Sequence, residues 1–103
     1  MTNIQNLLKQ AQKIQSQVTQ MQAELGERRI EASAGGGMVT AIVNGRQELI
    51  AVRIDPQVVD PSDVEMLEDL IVAAVSEALA RASEMAAEEM KKLTGGLALP
   101  GLL

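Results

Sequence analysis

Residues 38–54, Met38-Val39-Thr40-Ala41-Ile42-Val43-Asn44-Gly45-Arg46-Gln47-Glu48-Leu49-Ile50-Ala51-Val52-Arg53-Ile54, decide how this chain folds. Two apolar, β-branched runs (38–43 and 48–54) flank Asn44-Gly45, a strong hairpin signal. A two-residue turn would pair Ala41 with Glu48 and Val39 with Ile50, setting a charge in mid-face. A four-residue loop from Asn44 to Gln47 instead pairs Val43 with Glu48, Ala41 with Ile50 and Val39 with Val52. That register moves the charge to the edge of a continuous apolar face and is the expected one. Met38, Ile42 and Leu49 then share the opposite, partly apolar face. The sheet therefore needs cover on both sides, one from a helix and one from a partner subunit. Upstream, residues 28–34 alternate as a further strand, separated from the hairpin by Gly35-Gly36-Gly37. Downstream, Ile54-Asp55-Pro56 ends the sheet, since proline cannot continue the ladder.

A helix lies on each side of this unit. Ile4, Leu7, Ala11, Ile14, Val18, Met21 and Leu25 are spaced 3, 4, 3, 4, 3 and 4, an unbroken heptad. They form one narrow seam on a helix over about residues 2–25, with Gly26 suited to a left-handed cap. The rest of that helix is rich in glutamine, so it must lean on the remainder of the chain or on a second copy. A second helix is expected over about residues 62–93, ending at Gly95-Gly96. Either Asp60 caps it with Pro61 in the first helical position, or Ser62 and Glu65 form a capping box. Its apolar stripe, from Val64 through Leu70, Ala74, Ala78 and Ala82 to Met85, is broad enough to cover a sheet. After Ala86 the stripe thins and Glu88, Glu89, Lys91 and Lys92 appear, so this stretch is expected to project. The pattern is one α+β domain over residues 1–94, with a small antiparallel three-stranded sheet and two long helices. Residues 95–103 are expected to be a flexible tail.

Composition narrows the chemistry. The 103 residues include no Phe, Tyr, Trp, His or Cys. A small core without aromatic rings is often completed by oligomerisation, so a homodimer is expected. Without His or Cys there is no imidazole base, thiol nucleophile or zinc site, and an enzyme is not expected; nor is a cofactor or a small-molecule substrate. No segment reaches the roughly 20 apolar residues of a membrane span, and no signal peptide is visible, so a cytoplasmic protein is expected. Net charge is −5, unevenly placed. Residues 1–53 balance to +2 and residues 54–103 to −7, an asymmetry that hints at a surface for polyanions.

Gly35-Gly36-Gly37 lies between strands rather than between a strand and a helix, so it reads as a turn and not as a phosphate loop. Glu65, Glu68 and Asp69 sit early in the second helix, where carboxylates favour the helix dipole; no metal role is assigned to them. The basic candidates are Lys9, Lys13, Arg28, Arg29, Lys91 and Lys92. Each alone reads as a solvated side chain, but doubled by a dimer axis they could contact phosphates. With no aromatics and few arginines, neither base stacking nor base-specific readout is expected.

The order of these parts resembles the YbaB/EbfC nucleoid-associated protein family. The resemblance rests on the Gln-rich helix, Ala34-Gly35-Gly36-Gly37, Asn44-Gly45, Ile54-Asp55-Pro56, Leu67-Glu68-Asp69-Leu70 and Gly95-Gly96 with Leu99-Pro100-Gly101. It implies an α-β-β-β-α protomer in a tweezer-like homodimer joined through the sheet, with Met38, Ile42, Leu49 and Ala51 as candidate interface residues. It also implies binding of double-stranded DNA with little sequence preference, and a role in nucleoid organisation and gene regulation. The rival expectation is a protein–protein adaptor whose heptad helix docks onto another chain.

Overall fold

The computed structural model of the protein describes residues 4–95. Helix α1 (Ile4–Glu27) leads to strands β1 (Arg29–Ala34), β2 (Val39–Asn44) and β3 (Leu49–Ile54). A 3-10 turn (Pro56–Val58) then precedes helix α2 (Val64–Thr94). The strands form one antiparallel sheet in the order β1-β2-β3, the expected α-β-β-β-α arrangement. Of the expected tail, only Gly95 lies within the described residues. It takes φ 56° and closes α2 by donating its amide to the Lys91 carbonyl at 3.0 Å.

The core sits between the sheet and the first two-thirds of α2. Ala74, Ala78 and Ala82 follow at i, i+4, i+8 and are fully buried, as are Val39, Ala41 and Val43 of β2. With only methyl groups between them, helix and sheet approach closely enough to pack without any ring. Ile30 and Ala34 of β1, Val52 of β3 and the leucines of α2 close the margins, and Val58 seals one end. On the outer face Glu31 and Arg53 bridge over β2 at 3.7 Å, beside a Ser33–Thr40 hydroxyl pair at 2.8 Å. Gly35, Gly36 and Gly37 all have positive φ, confirming a glycine turn from β1 to β2.

The hairpin register differs from both expected registers. Val39 pairs with Ile54, Ala41 with Val52 and Ile42 with Ala51, and a bulge then pairs Val43 with Leu49, leaving Ile50 as the extra residue. The reason is Asn44, which belongs to β2 and not to the loop. Only 3% exposed, its side chain satisfies all its hydrogen-bonding groups. Its Oδ1 accepts from the amides of Arg46 at 2.9 Å and Glu48 at 3.0 Å. Its Nδ2 donates to Glu48 Oε1 at 2.7 Å and to the Gly26 carbonyl at 3.3 Å. Met38, expected on the outer face, precedes β2 in the turn and packs against the helix-side core.

Helix boundaries shift for similar local reasons. Gly26 is helical, not a left-handed cap, because the end of α1 is satisfied by other side chains and by the hairpin turn. Arg29 and Asn44 donate to its carbonyl, and Gly45 donates to that of Leu25. At α2 the cap is Asp63, whose Oδ1 accepts from the Met66 amide at 3.2 Å. Asp60 is instead occupied with Ser62, accepting from its amide at 2.9 Å and its hydroxyl at 2.7 Å.

Candidate nucleic-acid interface

α1 does not lie on the sheet. It runs antiparallel to the second half of α2, with Met21 and Leu25 buried. Arg28 at its base reaches Met85 Sδ at 3.6 Å and Glu89 at 3.6 Å. Further along, Gln17 and Met21 share a groove with Glu89, Lys92 and Leu93, and beyond that Gln10, Lys13 and Ile14 share one with Leu93. The paired helices thus form an arm, and α1 extends past the end of α2. The radius of gyration, 19.6 Å, shows this elongation, since a compact chain of this length would have about 13 Å.

This pairing sorts the basic residues into two sets. Every arginine is bonded within the chain. Arg28 ties α1 to α2, and Arg29 donates to the carbonyls of Gly26 and Arg28. Arg46 pairs with Glu48, Arg53 with Glu31, and Arg81 bonds both Glu77 and the Glu31 carbonyl. Three of the four lysines are the free charges. Among the described residues Lys9, Lys13 and Lys91 are exposed and have no ion-pair partner, while Lys92 shares Glu89 with Arg28.

The six candidates therefore do not make one patch. Lys9, Lys13, Lys91 and Lys92 gather at the far end of the arm, and Arg28 and Arg29 stand at its base. Lys13 and Arg28 are about 22 Å apart along the helix by the 1.5 Å rise. Residues 4–20 and 90–95, which build the far end, contain these four lysines and no acidic residue. The acidic start of α2 (Glu65, Glu68, Asp69) lies at the other end, with Asp69 about 33 Å from Lys91 by the same rise. Dividing the charges between chain halves concealed this. Tallying them by helix end would have revealed it. Of the interface candidates, Ile42 and Ala51 are paired neighbours on the outer face, Leu49 is exposed at the end of β3, and Met38 is packed inward. Among the described residues no group of acidic side chains is arranged to hold a metal, and no helix is long and apolar enough to cross a membrane.

The sequence model of the YbaB/EbfC DNA-binding family matches residues 1–97. A nucleoid-associated protein of Thermoanaerobacter pseudethanolicus is 57% identical over 100 residues, covering 97% of this chain and 90% of that one. One from Moorella thermoacetica is 58% identical over 101 residues, covering 98% and 97%. The crystal structure of an uncharacterized protein from Helicobacter pylori superposes with a TM-score of 0.84 at 19% identity, covering 92% of this chain and 100% of that one. At that identity the likeness shows the fold alone.

Proposed function

This chain belongs to the YbaB/EbfC DNA-binding family, and from that premise we propose that it works as a nucleoid-associated homodimer that grips duplex DNA by its phosphates. Sequence preference is low and arises from DNA shape, and the bound duplex changes conformation, with consequences for nucleoid organisation and gene regulation. The observation that carries this reading is the lysine-bearing end of the arm, where residues 4–20 and 90–95 hold four lysines and no acid. At physiological salt the screening length is about 8 Å, so the carboxylates at the start of α2 do little to repel a duplex held there, and of the nearer ones Glu89 is paired with Lys92 and Arg28.

The homodimer is supported by the apolar surface left around β3. Leu49, Ile50 and Ile54 are exposed on this edge strand, and Val64 and Val72 are exposed on α2. An open edge of this kind invites pairing with a second copy. Of the expected interface residues, Leu49 fits this surface best. Two copies would present two lysine-bearing arms to one duplex.

Anisotropy of a labelled duplex, titrated at about 50 and about 200 mM salt, tests the reading. Each phosphate neutralised contributes about 0.9 to the slope of log K against log salt, so several engaged lysines produce a steep fall. No binding at low salt would overturn it in favour of the adaptor role for the exposed α1 seam.

A further inference from the structure

The turn from β2 to β3 meets the base of α1 through Asn44-Gly45, a pair with a chemistry of its own. Of the three asparagines in the chain, Asn3 and Asn6 precede the bulky Ile4 and Leu7, and only Asn44 precedes a glycine. A backbone nitrogen that follows asparagine can attack the side-chain carbonyl, and glycine has no Cβ to obstruct it. The fold nevertheless requires this pair. A Cβ on Gly45 would stand 2.8 Å from the Leu25 carbonyl oxygen and 2.9 Å from Leu25 Cδ2. Asn44 is held by its amide oxygen and its amide nitrogen alike.

In the folded chain every reacting group is occupied. The nucleophile, the Gly45 amide, donates to the Leu25 carbonyl at 2.8 Å. The leaving group, Nδ2 of Asn44, donates to Glu48 Oε1 at 2.7 Å and to the Gly26 carbonyl at 3.3 Å. Both residues are buried, which keeps water from the proton that must leave. Leu25 and Gly26 belong to the last turn of α1, so lifting that turn frees the nucleophile and the leaving group together.

We propose that Asn44-Gly45 is a deamidation site that the base of α1 holds shut, and that deamidation after release keeps α1 from reseating. Once α1 lifts, the Gly45 nitrogen gives up its proton and bonds to Asn44 Cγ. The Cγ–Nδ2 bond breaks, and Nδ2 departs with that proton as ammonia, leaving a succinimide. Water opens the ring at either carbonyl, to aspartate or to isoaspartate, with no oxidant or reductant involved. Aspartate sets an oxygen against Glu48 Oε1 and offers no donor to the Gly26 carbonyl, the two contacts Nδ2 had made. Isoaspartate adds a carbon to the main chain within the turn and displaces the Gly45 amide from Leu25.

The full chain, held at mildly alkaline pH in urea below its unfolding transition, tests this. Deamidation is read from the mass of the tryptic peptide of residues 30–46, and isoaspartate by enzymatic methylation. Without urea the folded chain should react at least about tenfold more slowly than the free peptide of residues 30–46. Equal rates would overturn the proposal. Across the urea series the rate should rise with hydrogen exchange at residues 20–27, ahead of exchange at Ala41 in the core. A rate that follows Ala41 alone would assign the reaction to global unfolding and remove α1 as the gate. In the isolated deamidated protein, exchange at residues 20–27 should be about fivefold faster or more than in the native chain. Unchanged exchange there would refute the block on reseating.

Discussion

The Gly45 amide donates to the Leu25 carbonyl across 2.8 Å, and a Cβ on Gly45 would stand 2.8 Å from that same oxygen. The turn between β2 and β3 thus clamps the last turn of α1 and leaves no space for a side chain. The clamp sets the direction of a helix about 36 Å long, so tilting it by about 10° would carry Ile4 through roughly 6 Å. Arm geometry rests on this contact together with the seating of α1 on α2.

Gly45→Ala should accordingly destabilise the protein by about 2 kcal/mol, through lost hydrogen bonding and local displacement of α1. Gly36→Ala meets nothing within 4 Å and bears only the left-handed strain of φ 67°, about 1 kcal/mol. Urea unfolding followed by circular dichroism ranks the two. Equal losses would refute the clamp.

Asn44→Ala strips partners from the Arg46 and Glu48 amides and from the Gly26 carbonyl. A loss of about 2–3 kcal/mol is expected, because buried polar groups are left unpaired. Asn44→Asp should be no better. It replaces the Nδ2 donor with an oxygen facing Glu48 Oε1, a contact made at 2.7 Å in the native chain. Stability of Asn44→Asp equal to the native protein would contradict this account.

Ala78→Leu tests the close helix–sheet approach. Ala78 is fully buried in the core cluster with Ala41 and Val43, so the larger side chain should cost about 1–3 kcal/mol by overpacking. A thermal midpoint at or above that of the native protein would show that α2 has room to lift.

Lysine and arginine substitutions should separate cleanly. Lys9→Ala/Lys13→Ala should weaken DNA binding on every sequence and flatten its salt dependence while leaving the melting temperature unchanged. Arg28→Ala should leave the salt slope unchanged and lower stability by less than about 1 kcal/mol, as expected for a half-exposed ion pair. The reverse pattern would relocate the DNA-contacting surface to the base of the arm.

The Ser62 hydroxyl and, after it, the Ser62 amide hold the Asp60 carboxyl below the ordinary carboxylate range. A lowered folded pKa stabilises the fold above the ordinary value, and the contribution is lost as pH falls through the folded value. Ser62→Ala removes the hydroxyl and should move the Asp60 titration, followed by carboxyl-carbon NMR, back upward. An unmoved titration would assign the effect to the backbone.

Periodicity alone made the elements legible. The heptad from Ile4 to Leu25, the stripe from Val64 to Met85 and the β-branched runs on either side of Asn44 each have a repeat that only one local geometry satisfies. The glycine run was legible too, since consecutive positive φ values are tolerated by little else. Register, caps and the docking of α1 were not. Asn44-Gly45 carries a turn signal whatever else those residues do. Here Asn44 ends a strand and holds the Gly26 carbonyl, and Gly45 makes room for the Leu25 carbonyl, contacts eighteen and twenty positions apart in sequence. Likewise the sequence offered Asp60 or Ser62 as the cap, whereas the path of the chain into α2 selected Asp63.

The candidate site divides in the same way. Sequence determined which cations exist, and it determined that residues 4–20 and 90–95 carry lysines without acids. Only the antiparallel seating of α1 on α2 brought these two segments, seventy or more positions apart, to one end of one arm. Only side-chain geometry committed Arg28 and Arg29 to internal bonds while leaving Lys9 and Lys13 free. The physical reason is range. Helical and strand repeats are written within a few residues, whereas the partners of a charge and the neighbours of a helix end are chosen by the closed chain.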